Sequence, residues 1–108
     1  MGLVIEQYDV CWVCLDPTVG GEMAKTRPCV VVSPNELNKH LSTVIIAPIT
    51  SKIHNYPYRV KCEINGKQGE IATDQIRTID KIRVANKITK LSATEITALQ
   101  SVFQQMFT

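Results

Sequence analysis

No stretch of this chain is apolar for long enough to cross a membrane, and its start lacks the basic-then-apolar pattern of a secretory leader. Met1-Gly2 is followed by Glu6 where a myristoylation signal needs a small hydroxyl residue, so no lipid anchor is expected. These absences make the cytoplasm the expected location. Charge of one sign is scarce too. Twelve Lys and Arg against ten Asp and Glu leave a net +2, which by itself does not mark a nucleic-acid binder; only a local basic cluster would. There is no internal repeat, linker or low-complexity segment. At 108 residues the chain is expected to form a single domain over 1–108. Its core must be small, and a second copy would usefully enlarge it.

A second CxxC is also missing. Cys11-Trp12-Val13-Cys14 is the only such pair, and Cys29 and Cys62 complete no four-sulfur set. The pair lies in an apolar, β-prone run, Val10 to Leu15, where residues three apart point to opposite faces. No metal and no cofactor are expected, and all four cysteines read as reduced, mostly buried small hydrophobes. Gly66-Lys67 lacks the upstream glycine of a phosphate loop.

What remains is a series of short strands closed by one helix. Tyr8 to Leu15 predicts a first strand, ended by Asp16-Pro17 and Gly20-Gly21. Cys29 to Ser33 predicts a second, with Val30 to Val32 buried on both faces and Pro28 opening it. Residues 35–41 fit one short helical turn capped by Ser33 or Asn35, and Thr43 to Pro48 a third strand. Tyr58, Val60, Cys62 and Ile64 alternate with Arg59, Lys61 and Glu63, giving a strand with one wet face. Asn65-Gly66 is the strongest tight-hairpin signal, with Gln68 to Thr73 as the returning strand. Ile76 to Ile79 reads as a short turn and Ile82 to Ile88 as a last strand. Ser92 and Glu95 form a capping box, with Leu91 and Ile96 as its apolar clamp. Ile96, Leu99, Val102, Phe103 and Met106 then mark one face of a helix. The expected fold is mainly β with a C-terminal helix, a small bent sheet or barrel.

The segment from Gly21 to Ser33 carries the most chemistry. It sets Glu22, Lys25 and Arg27 in a polar loop directly against Pro28 and the valine strand. A guanidinium aimed by a rigid strand is suited to holding a phosphate.

Leu15-Asp16-Pro17-Thr18, Gly21-Glu22 through Arg27-Pro28, Ala47-Pro48-Ile49-Thr50-Ser51 and Thr73 through Asp80 resemble, in order and spacing, the MazF/PemK/Kid toxins of bacterial toxin–antitoxin systems. The resemblance spans nearly the whole chain. It implies an SH3-like barrel, a homodimer, and a metal-independent endoribonuclease that cuts single-stranded RNA until a cognate antitoxin binds. That antitoxin would lay an acidic, partly disordered tail over the RNA groove. Metal-free cleavage needs a base for the 2′-hydroxyl proton, an acid for the leaving 5′-oxygen, and positive charge on the phosphorane. Its products would be a 2′,3′-cyclic phosphate and a 5′-hydroxyl, and the 2′-hydroxyl requirement would exclude DNA.

By the same resemblance Arg27 stabilises charge or moves a proton, Thr50 bonds the scissile phosphate, and Glu22 either acts as base or orients Arg27. Ser51, Lys25 and Lys52 are expected to bind RNA, as are Asp74, Gln75 and Arg77, with Asp74 reading a base or holding Arg77. Lys81 and Arg83 are further candidates for phosphate contacts. His40 and His54 read as solvated loop residues, and Trp12 as core or barrel edge. Gly21 and Ala72 stand where the Kid type has a histidine and an arginine, so the Kid acid–base scheme does not carry over whole. The scheme centred on Arg27 and Thr50 does. A gyrase-binding poison of the related CcdB type is the alternative from another class. Such poisons depend on a tryptophan near the C-terminus, whereas this chain ends Gln104-Gln105-Met106-Phe107-Thr108. A catalytically silent RNA- or antitoxin-binding member is the third reading.

Overall fold

Three consecutive central strands bury aliphatic residues on both faces, and that organises the molecule. The computed structural model describes residues 4–108, so the Met1-Gly2 start lies outside it. The elements in order are β1 (Asp9–Cys14), β2 (Thr26–Val31), α1 (Asn35–His40), β3 (Thr43–Thr50), β4 (Val60–Ile64), β5 (Lys67–Ile71), β6 (Arg77–Asp80), β7 (Val84–Lys90) and α2 (Ala93–Met106). Single 3₁₀ turns fill Thr73–Gln75 and Lys81–Arg83. The sheet runs β4-β5-β3-β2-β1-β7, with β6 also paired to β3, and every pairing is antiparallel.

Alternation along β1, β2 and β3 divides the aliphatic residues between two cores. Cys11, Val13, Cys29, Val31 and Ile46 fill one; Val10, Val30, Ala47, Ile49 and Leu99 belong to the other, which α2 covers. Burial on both faces therefore holds for Val30 and Val31, while Val32 lies past the strand and is half-buried. The sheet is a curled half-barrel because β3 serves two partners on one edge. Thr43 to Ile46 pair with β6, and Ile49 and Thr50 pair with β5.

Several boundaries differ from expectation. β2 begins at Thr26, so Pro28 lies within the strand, opposite Trp12. It is tolerated because β3 joins β2 only from Cys29 onward, and on that side Pro28 meets no strand that needs an N–H. β4 begins at Val60, after Tyr58 turns the chain with φ 66°, and the polarity inverts there: Tyr58 is exposed and the Arg59 side chain is buried. Residues 77–80 form a strand rather than a turn, and Ile82 sits exposed in the 3₁₀ turn before β7. Neither Ser33 nor Asn35 caps α1. The Ser33 hydroxyl donates to Asn38 Oδ1 at 2.6 Å and accepts from the Ile45 amide, and Asn35 Oδ1 accepts from the Gln7 amide.

The local signals at hairpin and helix hold. Asn65 and Gly66 both have positive φ, as a two-residue hairpin turn requires. The Ser92–Glu95 capping box is complete, Leu91 and Ile96 join one core cluster, and Leu99 is the one fully buried residue of α2. Cys11, Cys29 and Cys62 are buried free thiols, and Cys14 is exposed. Among the described residues no helix is long and apolar enough to cross a membrane.

Two outcomes follow from this packing. Leu99→Ala should cost about 2–5 kcal/mol in urea unfolding, whereas Ile82→Ala should stay within about 0.5 kcal/mol. Burial pushes the Cys11 thiol to about 11 and those of Cys29 and Cys62 to about 12. At pH 8 a thiol reagent should therefore label Cys14 quickly in the native protein and the other three only on unfolding.

Candidate active site

Beside the C-terminal end of β3 the half-barrel opens a cleft of about 430 Å³. It gathers Lys25, Arg27, Thr50 and Ser51, joined by Trp12 and Lys67. Trp12 is therefore not a core residue: it is 40% exposed and presents its ring to the cleft. The β1–β2 loop is held so that its basic end faces this opening. Asp16 Oδ1 accepts from the Lys25 amide at 3.0 Å, the Leu15 amide donates to the Lys25 carbonyl at 2.9 Å, and Lys25 takes φ 68°. Arg27 uses Nε to donate to the Ala24 carbonyl at 3.1 Å; among the described residues its Nη nitrogens make no hydrogen bond.

Thr50 is 5% exposed, and its Oγ1 accepts from the Lys52 amide at 3.1 Å. A hydroxyl that accepts in this way keeps its own proton to donate. Lys52 itself is exposed. Gly69 on β5 has no room for a side chain, because a Cβ would stand 2.9 Å from Ile49 Cγ2 and 3.0 Å from the Thr50 carbonyl oxygen. Glycine there lets β5 press against the strand end that carries Thr50.

The remaining expected residues line a second cleft of about 450 Å³, which holds Glu22, Asp74, Gln75 and Arg77. Pro48 lines this cleft, and Ile49 and Thr50 line the first. The structure thus separates Glu22 from Arg27 and Thr50. Glu22 Oε1 accepts from the Val19 amide at 2.6 Å, closing its own loop. Gln75 fastens that loop, accepting from the Met23 amide at 2.9 Å and donating to the Gly21 carbonyl at 3.4 Å. Arg77 donates to the Leu15 carbonyl at 3.1 Å. Lys81 and Arg83 also act on backbone, Lys81 on the Asn38 carbonyl and Arg83 on those of Cys14 and Asp16. Among the described residues no three His, Cys, Asp or Glu side chains cluster as a metal site needs.

Asp74 does not hold Arg77; it holds Arg59. Arg59 Nε and Nη2 donate to the two Asp74 oxygens at 2.8 and 3.1 Å, and Nη1 donates to Glu70 Oε1 at 3.1 Å. The Arg59 and Glu70 side chains are only 6% and 1% exposed. Glu70 also accepts from the amides of His54 at 3.4 Å and Asn55 at 3.0 Å, so the cluster ties down the loop that follows Ser51. Burial alone would raise the Glu70 carboxyl, but the Asn55 amide, Arg59 and the His54 amide together hold it below its ordinary 4.5. The Arg59 hydrogen bond holds Asp74 below 3.8 against a smaller effect of burial. The hairpin register contains the signal for this cluster. Val60 pairs with Ile71, so one step on, Arg59 stands opposite Ala72 and diagonal to both Glu70 and Asp74.

A curled half-barrel with a C-terminal helix, opening on a cleft that collects an arginine, two lysines and a threonine hydroxyl, is a small barrel built to grip a phosphodiester. The profile of the PemK-like, MazF-like toxins of type II toxin–antitoxin systems matches residues 6–107, and the chain belongs to that family. It is 35% identical over 95 residues to Endoribonuclease EndoA of Bacillus subtilis (strain 168), covering 82% of each chain. Its fold matches MazF of Deinococcus radiodurans with a TM-score of 0.85 over 96% of both chains at 24% identity. A MazE–MazF structure from the same organism matches at 0.79 over 96% of both chains, at 21% identity.

The acid cluster has a pH signature. Both carboxyls are depressed on folding, so the stability they add is complete above about pH 4.5 and is lost as pH falls through their lowered values. Glu70→Gln should be less stable than the parent at pH 7, with the gap in urea midpoints narrowing below pH 4.5. A gap unchanged down to pH 3 would contradict the assignment.

Proposed function

We propose that this chain is the toxin of a type II pair, an endoribonuclease that cuts single-stranded RNA without a metal through its own 2′-hydroxyl. The convergence of the Arg27 guanidinium and the Thr50 hydroxyl on one basic cleft carries this reading, and membership of the toxin family supports it. So does the likeness to a protein named Endoribonuclease EndoA. The free Nη edge of Arg27 faces the phosphate and stabilises the charge of the phosphorane. Thr50, its acceptor side filled by the Lys52 amide, donates to a non-bridging oxygen. Lys25, Lys67, Ser51 and Lys52 hold the flanking backbone, so affinity falls with salt. Glu22, set in the neighbouring cleft, shapes the loop that presents Lys25 and Arg27; Asp74, Gln75 and Arg77 brace the same wall rather than contact the reacting phosphate.

The remaining expectations fit this reading. The unit is the whole of 1–108, working in the cytoplasm as a homodimer whose second copy extends a core that a chain this short keeps small. Its partner is an antitoxin of the MazE/PemI kind, as the family description implies. An acidic antitoxin tail would compete with RNA for the Arg27 cleft. The products would be a 2′,3′-cyclic phosphate and a 5′-hydroxyl.

The test is incubation of the purified protein with a long single-stranded RNA in EDTA. Discrete fragments ending in cyclic phosphate are expected. Arg27→Ala should lower the cleavage rate by about 100- to 1,000-fold, and Thr50→Val should lower it with little loss of fold stability. RNA left intact by the parent protein, together with inhibition of gyrase, would turn the reading toward a protein-binding poison.

A further inference from the structure

The loop after Ser51 builds an aromatic column that none of the chemistry above uses. The Tyr56 ring lies under the Arg59 guanidinium, 4.7 Å from its centroid, and the His54 ring stacks on Tyr56 at 4.8 Å with 3° between planes. Arg59 and His54 thus both pack on the Tyr56 ring. Arg59 donates from Nε, Nη1 and Nη2 to Asp74 and Glu70, which fixes the base of the column. The upper end is fixed through the backbone, because Glu70 accepts the amides of both His54 and Asn55. Asn55, at φ 58°, makes the turn that sets the rings at positions 54 and 56 parallel.

His54 and Tyr56 are nevertheless exposed, Tyr56 at 52%. A rigid, solvent-facing ring backed by a second ring and a guanidinium is a poor economy for a loop that only connects two strands. It is well suited to a planar ligand, since a fixed ring loses little entropy when a base stacks on it. The column lies next to the cleft. Thr50 and Glu70 are directly paired across β3 and β5, and His54 is three steps along the chain from Ser51, a reach of at most about 11 Å.

We propose that the outer face of His54, supported by Tyr56 and Arg59, is a stacking site for one nucleobase of the RNA close to the phosphate held by Arg27 and Thr50. This rests on the nuclease reading and adds a contact that affects which RNA is held. Glu70, Arg59 and Tyr56 are its positioning residues; His54 touches the base. Stacking accepts any base, and the larger faces of the purines overlap the imidazole more fully and are favoured.

The test uses an RNA blocked by a single 2′-deoxy nucleotide at the mapped cleavage position, and a matching set in which each neighbouring base in turn is abasic. His54→Ala and Tyr56→Ala should weaken binding of the blocked RNA by roughly 5- to 150-fold, while His54→Trp should bind as the parent or better. In cleavage of normal RNA the two alanine variants should raise KM with kcat nearly unchanged. One abasic position should weaken the parent to the same extent and cost His54→Ala nothing further. His54→Ala keeps the amide that Glu70 holds, and its Tm should match the parent. Alanine variants that bind like the parent, or an abasic series in which no position couples to His54, would overturn the stacking site while the parent still cleaves RNA. A parent that cleaves no RNA removes the nuclease reading itself, and the site with it.

Discussion

The site depends on β3 being shared by two partners along one edge. Its first half pairs with β6 and its last two residues with β5, so the sheet has to bend at Ala47-Pro48 between them. That bend turns the strand end outward into a cleft and puts Thr50 directly opposite Glu70. Gly69 permits the close approach, and any larger residue would push against Ile49 and the Thr50 carbonyl. The Thr50 hydroxyl, the acid that anchors the next loop and the glycine that admits them are consequences of one register.

Around this frame, the loops are fixed by side chains acting on backbone more than by regular secondary structure. Asp16, Glu22, Gln75 and Arg77 hold the segment from Leu15 to Lys25, and Thr50 and Glu70 hold the segment from Lys52 to Asn55. Glu22, Gln75 and Arg77, candidates for catalysis or RNA binding, thus also bond the protein's own amides and carbonyls. Such bonds aim a side chain without closing its neighbours to solvent, which is what an open nucleolytic cleft needs. Arg27 is the exception, since one nitrogen steadies it and the rest stay available.

Local chemistry was readable from the chain. The Asn65-Gly66 hairpin, the Ser92–Glu95 box, the two-sided burial of Val30 and the helical face around Leu99 each depend on neighbours a few residues away, and each was legible. The pairing of Arg27 with Thr50 came from motif resemblance and holds as one cleft. What stayed hidden was decided by contacts distant in sequence. Glu22 has the right chemistry for a base, yet its loop folds toward Gln75 and into the other cleft. Trp12 shares a face of β1 with buried Val10 but lies two residues nearer the cleft, where that face is no longer covered, so of core and barrel edge it takes the edge. Arg59 read as one of three wet-face residues of a strand that in fact starts one residue later. Its pairing with Glu70 and Asp74 could be counted from the hairpin, but only once the register was known.

The sheet also has three strands, β4, β6 and β7, each with one side free of a strand partner among the described residues, and β4 and β7 are the ends of its strand order. An uncovered row of backbone donors and acceptors can recruit a strand from another chain. Here those rows are lined with charge: Lys61 and Glu63 on β4, and Lys87 and Lys90 on β7, where both lysines also reach the buried Asp9 carboxylate. Charge along these two edges works against fibrillar association through them. The lysines that pin β7 to β1 through Asp9 are the same ones that make it an unwelcoming template.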